Sequence, residues 1–215
     1  MADGPIPFIV CGYYTPDYAR WLPSLTASLD AHGLPHDFVM TYKLTSGWEA
    51  NTRVKPMHIL DAMSRHPSSV IIFLDVDCLV RGDLSPLANL HGDVALNLTI
   101  QRQRGRGIWL RARAGTLVMK PNLRARQFVH SWIDHCQQAT YGEDDETALS
   151  RTLISHSDVT IQQLHPRWRA TAGSLKPDDI IIHDSASRGL PKVRNLTRGL
   201  IRLLSQARGK MWPWH

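Results

Sequence analysis

The sequence lacks a long hydrophobic run. No segment approaches the roughly 18 consecutive apolar residues that a membrane-spanning helix needs. The first ten residues, MADGPIPFIV, also lack the basic start and the apolar block of a secretory signal. Both absences disfavour a chain that enters or crosses a membrane, so we expect the protein to work in the cytoplasm.

Cysteine is also scarce. The 215 residues contain three cysteines, Cys11, Cys78 and Cys136, which are far apart and flanked by apolar residues. An odd and scattered set of this kind is not typical of a disulfide scaffold or of a zinc-binding framework. We therefore expect reduced cysteines that pack in the core, as in a cytosolic protein.

Acidic residues are absent after Asp184, where only basic charges follow. The whole chain carries 25 Lys and Arg against 19 Asp and Glu, so its net positive charge belongs to this segment and the rest is close to neutral. A helix over 194–207 would separate arginines from leucines. We predict a basic amphipathic tail, residues 191–215, at an anionic membrane surface on the inner face of the cell membrane. The alternative is a helix that packs on the domain. The basic residues are Arg188, Lys192, Arg194, Arg198, Arg202, Arg208 and Lys210.

The overall composition indicates neither disorder nor a coiled coil. Hydrophobic residues make up 43% and charged residues 20% of the chain, which is ordinary for a globular protein. The length suits one sizeable core and is short for two. We predict one domain, residues 1–190, followed by the tail.

Strand and helix patterns alternate along this domain. Apolar runs predict strands at 7–14, 36–42 and 70–74, and helical spacing predicts helices at 16–32 and 56–64. The run at 70–74 is continuous, as in a central parallel strand that helices cover on both faces. The pattern predicts an α/β fold with a mostly parallel sheet flanked by helices. Later strands are predicted at 94–99, 116–119 and 180–183, and later helices around 128–133 and from about 145.

Two aspartates follow the strand at 70–74, in the segment SVIIFLDVDCLV. The side chains of Asp75 and Asp77 would point the same way if the chain stays extended. Neighbouring carboxylates repel each other unless a cation or protons lie between them, and open α/β sheets bind ligands at this end of their strands. The pattern predicts a divalent metal site. The alternative is a solvated turn, or aspartates that cap the turn at 82–83.

The segment FLDVDCLVRGDLSPL resembles the Asp-x-Asp region of nucleotide-sugar glycosyltransferases of the GT-A fold, particularly family 8. Further segments resemble the same family in the same order along the chain. The resemblance implies a single Rossmann-like GT-A domain that moves a sugar from a nucleoside-diphosphate sugar to a glycan, lipid-linked or lipopolysaccharide-type acceptor. These segments are YYTPDYARWLPSLTASLDAHG, NTRVKPMHILDAM, RAGTLVMKP, DDETALSRTL and IIIHDSASR.

The same resemblance implies a metal centre. Asp75, Asp77 and His183 would hold Mn²⁺ or Mg²⁺, and the ion would neutralise the diphosphate as it departs. For His183, a satisfied histidine at a strand end is the alternative.

The resemblance also implies a binding site for the nucleotide. Tyr13, Tyr14 and Thr15 would hold the nucleoside, and Arg53 and Lys55 would reach the phosphates. Core packing is the alternative for at least one tyrosine, and an exposed loop position is the alternative for the two basic residues.

An acidic helix start, GEDDETALSR, provides the candidate catalytic residues Asp144, Asp145 and Glu146. Asp145 and Glu146 align with the acid and the glutamine of the family pattern Asp-Gln-x-x-Leu. A glutamate at the second position departs from that pattern and is able to act as a general base, so retention and inversion both stay open. Helix capping is the alternative for one or two of these acids. Gly115 would let the backbone approach a ligand, or form a plain turn.

Five arginines surround Trp109 in the segment QRQRGRGIWLRAR. We expect a loop here, which covers the donor, grips an anionic acceptor or is simply solvated. The arginines are Arg102, Arg104, Arg106, Arg111 and Arg113.

Two other functions compete with sugar transfer. A haloacid-dehalogenase-type phosphatase also uses Asp-x-Asp after an apolar strand, but it prefers a small pair where this chain has Cys78 and Leu79. A nucleic-acid-binding module would use the arginines and the tail. The nearly neutral body makes nucleic acid an unlikely partner.

Overall fold

A six-stranded mixed sheet forms the centre of the protein. The computed structural model describes residues 6–103, 107–155, 158–171 and 175–183. In chain order the elements are β1 (Phe8–Tyr14), a 3-10 helix (Pro16–Trp21), α1 (Leu22–Asp30), β2 (His36–Met40), α2 (Trp48–Arg53), α3 (Lys55–Arg65), β3 (Val70–Leu74), β4 (Cys78–Val80), α4 (Ser85–Ala88), β5 (Val94–Gln103), β6 (Gly107–Met119), α5 (Leu123–Gln137), α6 (Asp145–Ser155), β7 (Ile161–Gln163), a second 3-10 helix (Pro166–Trp168), β8 (Ala170–Thr171) and β9 (Ile181–His183).

The large sheet has the strand order β2-β1-β3-β6-β5-β7. Three of its five neighbouring pairs are parallel, and β6 runs antiparallel to both β3 and β5. The predicted α/β fold, with a mostly parallel sheet flanked by helices, is therefore confirmed. Strand β3 is central and parallel to β1 but antiparallel to β6, because an apolar run records burial of both faces and not the direction of each neighbouring strand.

Helices cover both faces of the sheet and bury β3 completely. Helices α3, α5 and α6 supply Ile59, Phe128 and Leu149 to the core on one face. Helices α1 and α4 supply Leu25 and Leu87 on the other face. Each fully buried side chain of this size contributes about 1.5–3 kcal/mol. The apolar packing therefore fixes the position of the end of β3, where Asp75 follows.

A second, three-stranded sheet, in the order β4-β9-β8, continues from the end of β3. The chain turns through Asp75 to Asp77, and the Cys78 N–H donates to the Asp75 carbonyl at 3.2 Å. Cys78 then pairs with His183 in the antiparallel β4/β9 ladder. The premise that the chain stays extended through the two aspartates is therefore wrong, because it leaves the large sheet here to join the small one.

The arginine-rich segment is a β-hairpin over its described residues, not the expected loop. Strands β5 and β6 pair from Val94 opposite Met119 to Gln103 opposite Gly107, with a register shift between Leu96 and Asn97. The predicted strands at 94–99 and 116–119 are the inner parts of these longer strands. Arg104 and Arg106 lie outside the described residues.

Proline divides the helix predicted at 16–32. Pro16 opens the 3-10 helix and Pro23 lies in the first turn of α1. A proline is accepted in a first helical turn but not in a helix interior. The two helices together follow the predicted range from 16 to 30.

The described residues all belong to one unit, which ends at Asp184. No helix among them is long and apolar enough to cross a membrane. The predicted tail, 191–215, lies outside the described residues.

Candidate active site

Asp75 and His183 meet above Gly115 at the carboxyl edge of β3. The Asp75 N–H donates to the Gly115 carbonyl at 3.1 Å. A Cβ atom on Gly115 would lie 2.6 Å from His183 Cε1 and 3.1 Å from Asp75 Oδ2. Gly115 is an interior residue of β6, which excludes a plain turn. The absence of a side chain at Gly115 gives room for the two candidate metal ligands.

Lys55 is the buried cation of the site. Its Nζ lies 2.8 Å from Asp75 Oδ1 and 3.0 Å from Asp145 Oδ2, and it donates to the Ala114 carbonyl at 3.1 Å. Burial lowers the pKa of Lys55, but the charges of Asp145 and Asp75 outweigh this and hold the pKa well above its usual value. Lys55, expected near the phosphates, is thus a permanent positive charge beneath Asp75.

Asp145 lies beneath Lys55, and only 4% of its side chain is exposed. Burial raises its pKa to about 6, and Lys55 offsets part of this effect. Its backbone is fixed as well, because Trp132 Nε1 donates to the Asp145 carbonyl at 3.0 Å. The Lys55 contact is an ion pair rather than an aligned hydrogen bond, since Oδ2 has no hydrogen-bond partner within the described chain. From this buried position Asp145 influences the site by holding Lys55 beside Asp75.

Glu146 is held by two arginines and by the backbone of β6. Its Oε2 accepts from Arg111 Nε at 2.8 Å and from Arg113 Nη1 at 2.9 Å. Its Oε1 accepts from the Ala114 N–H at 3.2 Å. These three hydrogen bonds fix the Glu146 carboxylate against β6 and leave Oε1 with one further acceptor site.

Asp144 caps α6. Its Oδ1 accepts from the Thr147 N–H at 2.9 Å and from the Thr147 hydroxyl at 2.7 Å, and its Oδ2 accepts from Arg111 Nη2 at 2.8 Å. Burial raises the pKa of Asp144, but Arg111 and the hydrogen bonds from Thr147 outweigh burial and lower it. The capping alternative therefore accounts for the geometry of Asp144.

A group of possible metal ligands lies at the junction of β4 and β9. Donor atoms of Asp77, Cys78 and His183 lie within 4.8 Å of one another. Ligands on opposite sides of one Mg²⁺ ion are about 4.2 Å apart. Burial lowers the pKa of His183 to about 4, so its imidazole is neutral near pH 7 and has a lone pair for a metal. Asp77 and His183 are thus close together, but the third member of this group is Cys78 and not the predicted ligand Asp75.

Cys78 and Asp75 are the two candidates for a third ligand beside Asp77 and His183. Burial raises the pKa of Cys78, and a protonated thiol is a weak ligand. Asp75 gives Oδ1 to Lys55 but directs Oδ2 to the space above Gly115, near His183. In the apo geometry the His183 nitrogens contact Thr116 Oγ1 at 2.9 Å and Cys78 Sγ at 3.3 Å. The site fits a divalent ion if His183 exchanges one of these contacts for the metal.

The residues expected to hold the nucleoside divide between core and surface. Tyr13 stacks on His58 with 4.4 Å between ring centroids, and its hydroxyl donates to the Asn51 carbonyl at 2.7 Å. Thr15 is buried and donates to Asp17 Oδ1 at 2.6 Å. Tyr14 projects to the opposite face from Tyr13 and is half-buried. Core packing thus accounts for Tyr13, and Tyr14 is the tyrosine still accessible to a ligand.

Arg53 does not reach the other candidate residues. Its Nη1 donates to the Ala139 carbonyl at 3.2 Å, and so joins α2 to the segment between α5 and α6. Lys55, two residues later, takes the position near Asp75 instead.

Sequence reasoning missed the specific contacts of Arg111, Arg113 and Arg169. The first two had been assigned to a loop, yet they alternate with apolar residues in LRARAG, which is a strand pattern. No sequence pattern marked Arg169 as a site residue, because it approaches the site only through the pairing of β8 with β9.

Comparisons with known proteins identify the fold. No protein-family model matches the chain, and neither does a curated protein sequence. Among solved structures, the fold resembles a glycosyltransferase involved in glycosylation of the major capsid of PBCV-1, with TM-score 0.65 and 12% identity over 91% of this chain and 99% of that one.

Two further glycosyltransferase structures also share the fold. GlyE of Streptococcus pneumoniae TIGR4 gives TM-score 0.57 at 14% identity, over 96% of this chain and 66% of that chain. The bifunctional WbbM gives 0.54 at 13% identity, over 85% and 46%. The chain therefore has the fold of these glycosyltransferases, and spans about two thirds of the GlyE structure and about half of the WbbM structure.

Proposed function

We propose that the protein is a metal-dependent glycosyltransferase that moves a sugar from a nucleoside-diphosphate sugar to an acceptor. The observation that carries the proposal is the meeting of Asp75, Lys55 and His183 around Gly115 at the carboxyl edge of β3. Open α/β sheets bind their ligands at this edge. The fold shared with glycosyltransferases supports the same activity.

Asp75, Asp77 and His183 would hold a divalent ion, Mn²⁺ or Mg²⁺. When bound, the ion supplies positive charge to the diphosphate that departs from the sugar. The neutral imidazole of His183 and the carboxylate of Asp77 suit an ion of this class.

Lys55 orients Asp75 and compensates its charge. The ammonium group binds Asp75 Oδ1 on the exposed side and Asp145 on the buried side. Asp145 therefore keeps Lys55 charged and in place, and Lys55 keeps Asp75 Oδ2 directed toward the space above Gly115. This preorganisation lowers the cost of binding an ion and a phosphate together.

Glu146 lies beside the place where the sugar would react. Its hydrogen bonds from Arg111 and Arg113 hold the side chain in place. Inversion would require Glu146 to take the acceptor's proton at a carboxylate oxygen. Retention would leave these contacts intact.

The nucleoside would bind near Tyr14, at the carboxyl end of β1. Tyr14 is half-buried, and a tyrosine ring at such a position offers a face for a nucleobase. The acceptor would be a glycan or a lipid-linked or lipopolysaccharide-type molecule, delivered near an anionic membrane surface that the basic tail would bind.

Thermal unfolding with a panel of nucleotide sugars, with and without Mn²⁺, tests the proposal. A donor at about 100 times its Kd adds about 2.7 kcal/mol of stability, which corresponds to about 5–10 °C for a chain of this size. We expect one nucleotide sugar to produce such a shift only when Mn²⁺ is present, and the same donor to be turned over.

The matched variants are Asp77→Asn and Asp83→Asn. Asp83 is a carboxylate that accepts from the Ser85 N–H at 2.8 Å, away from the candidate ligands. We expect Asp77→Asn to abolish the metal-dependent shift and Asp83→Asn to retain it. A panel in which no nucleotide sugar stabilises the unchanged protein would contradict the proposed activity.

A further inference from the structure

Three buried nitrogen donors near the candidate active site have no acceptor within the described chain. They are Asn97 Nδ2, Arg113 Nε and Arg169 Nε, and a fourth donor of this kind, Arg167 Nε, belongs to a guanidinium that lies over the Trp168 ring. Burying a polar donor without an acceptor is costly, and more so when the group is charged. Such donors indicate a place where a ligand supplies the missing acceptors.

The β5/β6 ladder brings two of these donors together. Asn97 lies directly opposite Arg113, so their side chains share one face of the hairpin. Arg113 is held from the other side, since its Nη1 donates to Glu146 Oε2. Arg113 Nε and Asn97 Nδ2, on these two paired residues, both lack an acceptor among the described residues.

The small sheet brings in the third donor. Arg169 precedes β8, in which Thr171 lies next to His183. Burial lowers the pKa of Arg169, the positive charge of Arg113 lowers it further, and Glu146 and Asp75 raise it. The Arg169 guanidinium therefore lies within electrostatic range of a second guanidinium and of the carboxylates of the site.

Two half-buried guanidinium groups near each other repel. An anion between them would remove the repulsion and satisfy the buried Nε atoms, because a guanidinium forms paired hydrogen bonds with phosphate oxygens. The nearby acids do not do so, because neither Arg113 Nε nor Arg169 Nε has an acceptor within the described chain.

We propose that Arg113, Arg169 and Asn97 form a subsite that binds the diphosphate of the donor. The inference rests on the proposed function, which supplies the diphosphate, and it assigns residues to it. The subsite adjoins Asp75 and His183, so the arginines and the ion would hold the same group from different sides. As the bond from the sugar carbon to the diphosphate oxygen breaks, the electron pair goes to that oxygen and the arginines stabilise its charge.

The test measures binding of inorganic pyrophosphate to the full chain by calorimetry, with Mn²⁺ present. We expect Arg169→Gln to weaken pyrophosphate binding tenfold or more, because the change removes both the positive charge and the paired N–H donors of the guanidinium. Arg169→Lys keeps the positive charge but not the paired N–H donors, so we expect the affinity for pyrophosphate to fall about threefold or more.

Arg126→Gln is the matched control. Arg126 is also half-buried, but its guanidinium donates to the Met63 carbonyl at 2.6 Å and to Ser64 Oγ at 3.3 Å, at the end of α3 opposite Lys55. We expect its affinity for pyrophosphate to stay within about twofold of the unchanged protein, because no forked contact with the anion is lost. Equal losses in the two Gln variants, or wild-type affinity in Arg169→Lys, would overturn the subsite.

Turnover of the nucleotide sugar separates this inference from the proposed function. If pyrophosphate binding depends on Arg169 but no nucleotide sugar is turned over, the subsite is supported and the proposed sugar transfer is contradicted. If Arg169→Gln turns over the nucleotide sugar with an unchanged donor KM, the subsite is contradicted and the proposed sugar transfer is supported. An increase in acceptor KM alone would place the bound anion on the acceptor and overturn the assignment to the donor.

Discussion

Lys55 shows how one buried side chain organises several functional residues. It faces Asp75, Asp145 and the Ala114 carbonyl at 2.8–3.1 Å, and its side chain is 6% exposed. Removing one partner of a buried ion pair costs about 3–5 kcal/mol, because the other charge stays buried. Asp145 is the partner that would suffer most, since Asp75 is partly solvated.

We therefore predict that Lys55→Met lowers the free energy of unfolding by about 3–5 kcal/mol near pH 7, measured by urea titration. Adding Asp145→Asn should recover part of the loss. The pKa of Asp145 is already raised to about 6 while Lys55 opposes burial, so without Lys55 it is higher still and the folded variant binds a proton more readily than the unfolded chain. The deficit of the variant relative to the unchanged protein should thus shrink as the pH falls toward 6.

The exposed pair of Lys43 and Asp17 provides the comparison. Its atoms are 2.6 Å apart, but the side chains are 59% and 42% exposed. We expect Lys43→Met to cost less than about 1 kcal/mol. Similar losses in the two methionine variants would mean that Lys55 does not serve as the central cation.

Gly115 provides a second prediction at this scale. A Cβ atom there would lie 2.6 Å from His183 Cε1, so Gly115→Ala must move the His183 ring. We expect a loss of about 1–3 kcal/mol in the free energy of unfolding, together with weaker Mn²⁺ binding by titration calorimetry.

Gly82→Ala is the control for this change. A Cβ atom on Gly82 would lie 3.7 Å from Ile180 Cγ2, an ordinary contact. We expect the free energy of unfolding to change by less than about 0.5 kcal/mol. Gly115→Ala with wild-type stability and metal affinity would show that His183 does not need this space.

At the scale of elements, apolar patterns predicted the strands and helices that bury a continuous face. Strands β1 and β3 and helix α3 lie within one or two residues of their predicted ranges. The β5/β6 hairpin was not predicted, because Arg, Gln and Gly in its outer part give no apolar alternation. Its pairing is set by the partner strand and the bulge after Leu96.

The start of α6 gives a prediction at this scale. Asp144 caps the helix through Thr147 and pairs with Arg111. Replacing such a cap with alanine costs about 0.5–2 kcal/mol. We expect Asp144→Ala to lose at least this much, and Asp144→Asn to lose less, because an amide oxygen still accepts from Thr147. Urea unfolding of both variants measures the difference.

The pH dependence follows from the lowered pKa of Asp144, whose ordinary value is 3.8. A depressed carboxyl pKa contributes stability that is complete above the unfolded value and is lost as the pH falls through the folded value. Asp144→Asn should therefore lose less stability than the unchanged protein on acidification below about pH 4. A curve of stability against pH for Asp144→Asn that runs parallel to that of the unchanged protein would contradict the assignment.

At the scale of the whole molecule, the site joins residues that are far apart in sequence. Cys78 contacts His183 across 105 positions, and Lys55 contacts Asp145 across the sheet edge. Resemblance to a family indicated that these segments belong together, but periodicity alone did not. Arg169 was missed for the same physical reason, because only the completed small sheet brings it near Arg113.

The uneven distribution of charge along the chain gives the prediction at the largest scale. The basic residues after Asp184 stand without acidic partners in sequence, and each Lys or Arg near an anionic bilayer contributes about 1 kcal/mol. The full chain should cosediment with vesicles that contain phosphatidylglycerol and not with pure phosphatidylcholine. A chain of residues 1–190 should stay in the supernatant, with unchanged thermal unfolding.

Salt and charge removal distinguish membrane attraction from nonspecific pelleting. Charge interactions at a surface are screened beyond about 8 Å at physiological ionic strength and beyond about 3 Å at 1 M, so binding to the vesicles should disappear at high salt. Replacing Arg194, Arg198 and Arg202 by Gln should have the same effect at low salt, because the apolar residues alone anchor a single amphipathic segment weakly. Vesicle binding that survives the three substitutions, or that the chain 1–190 retains, would move the membrane contact from the tail to the domain.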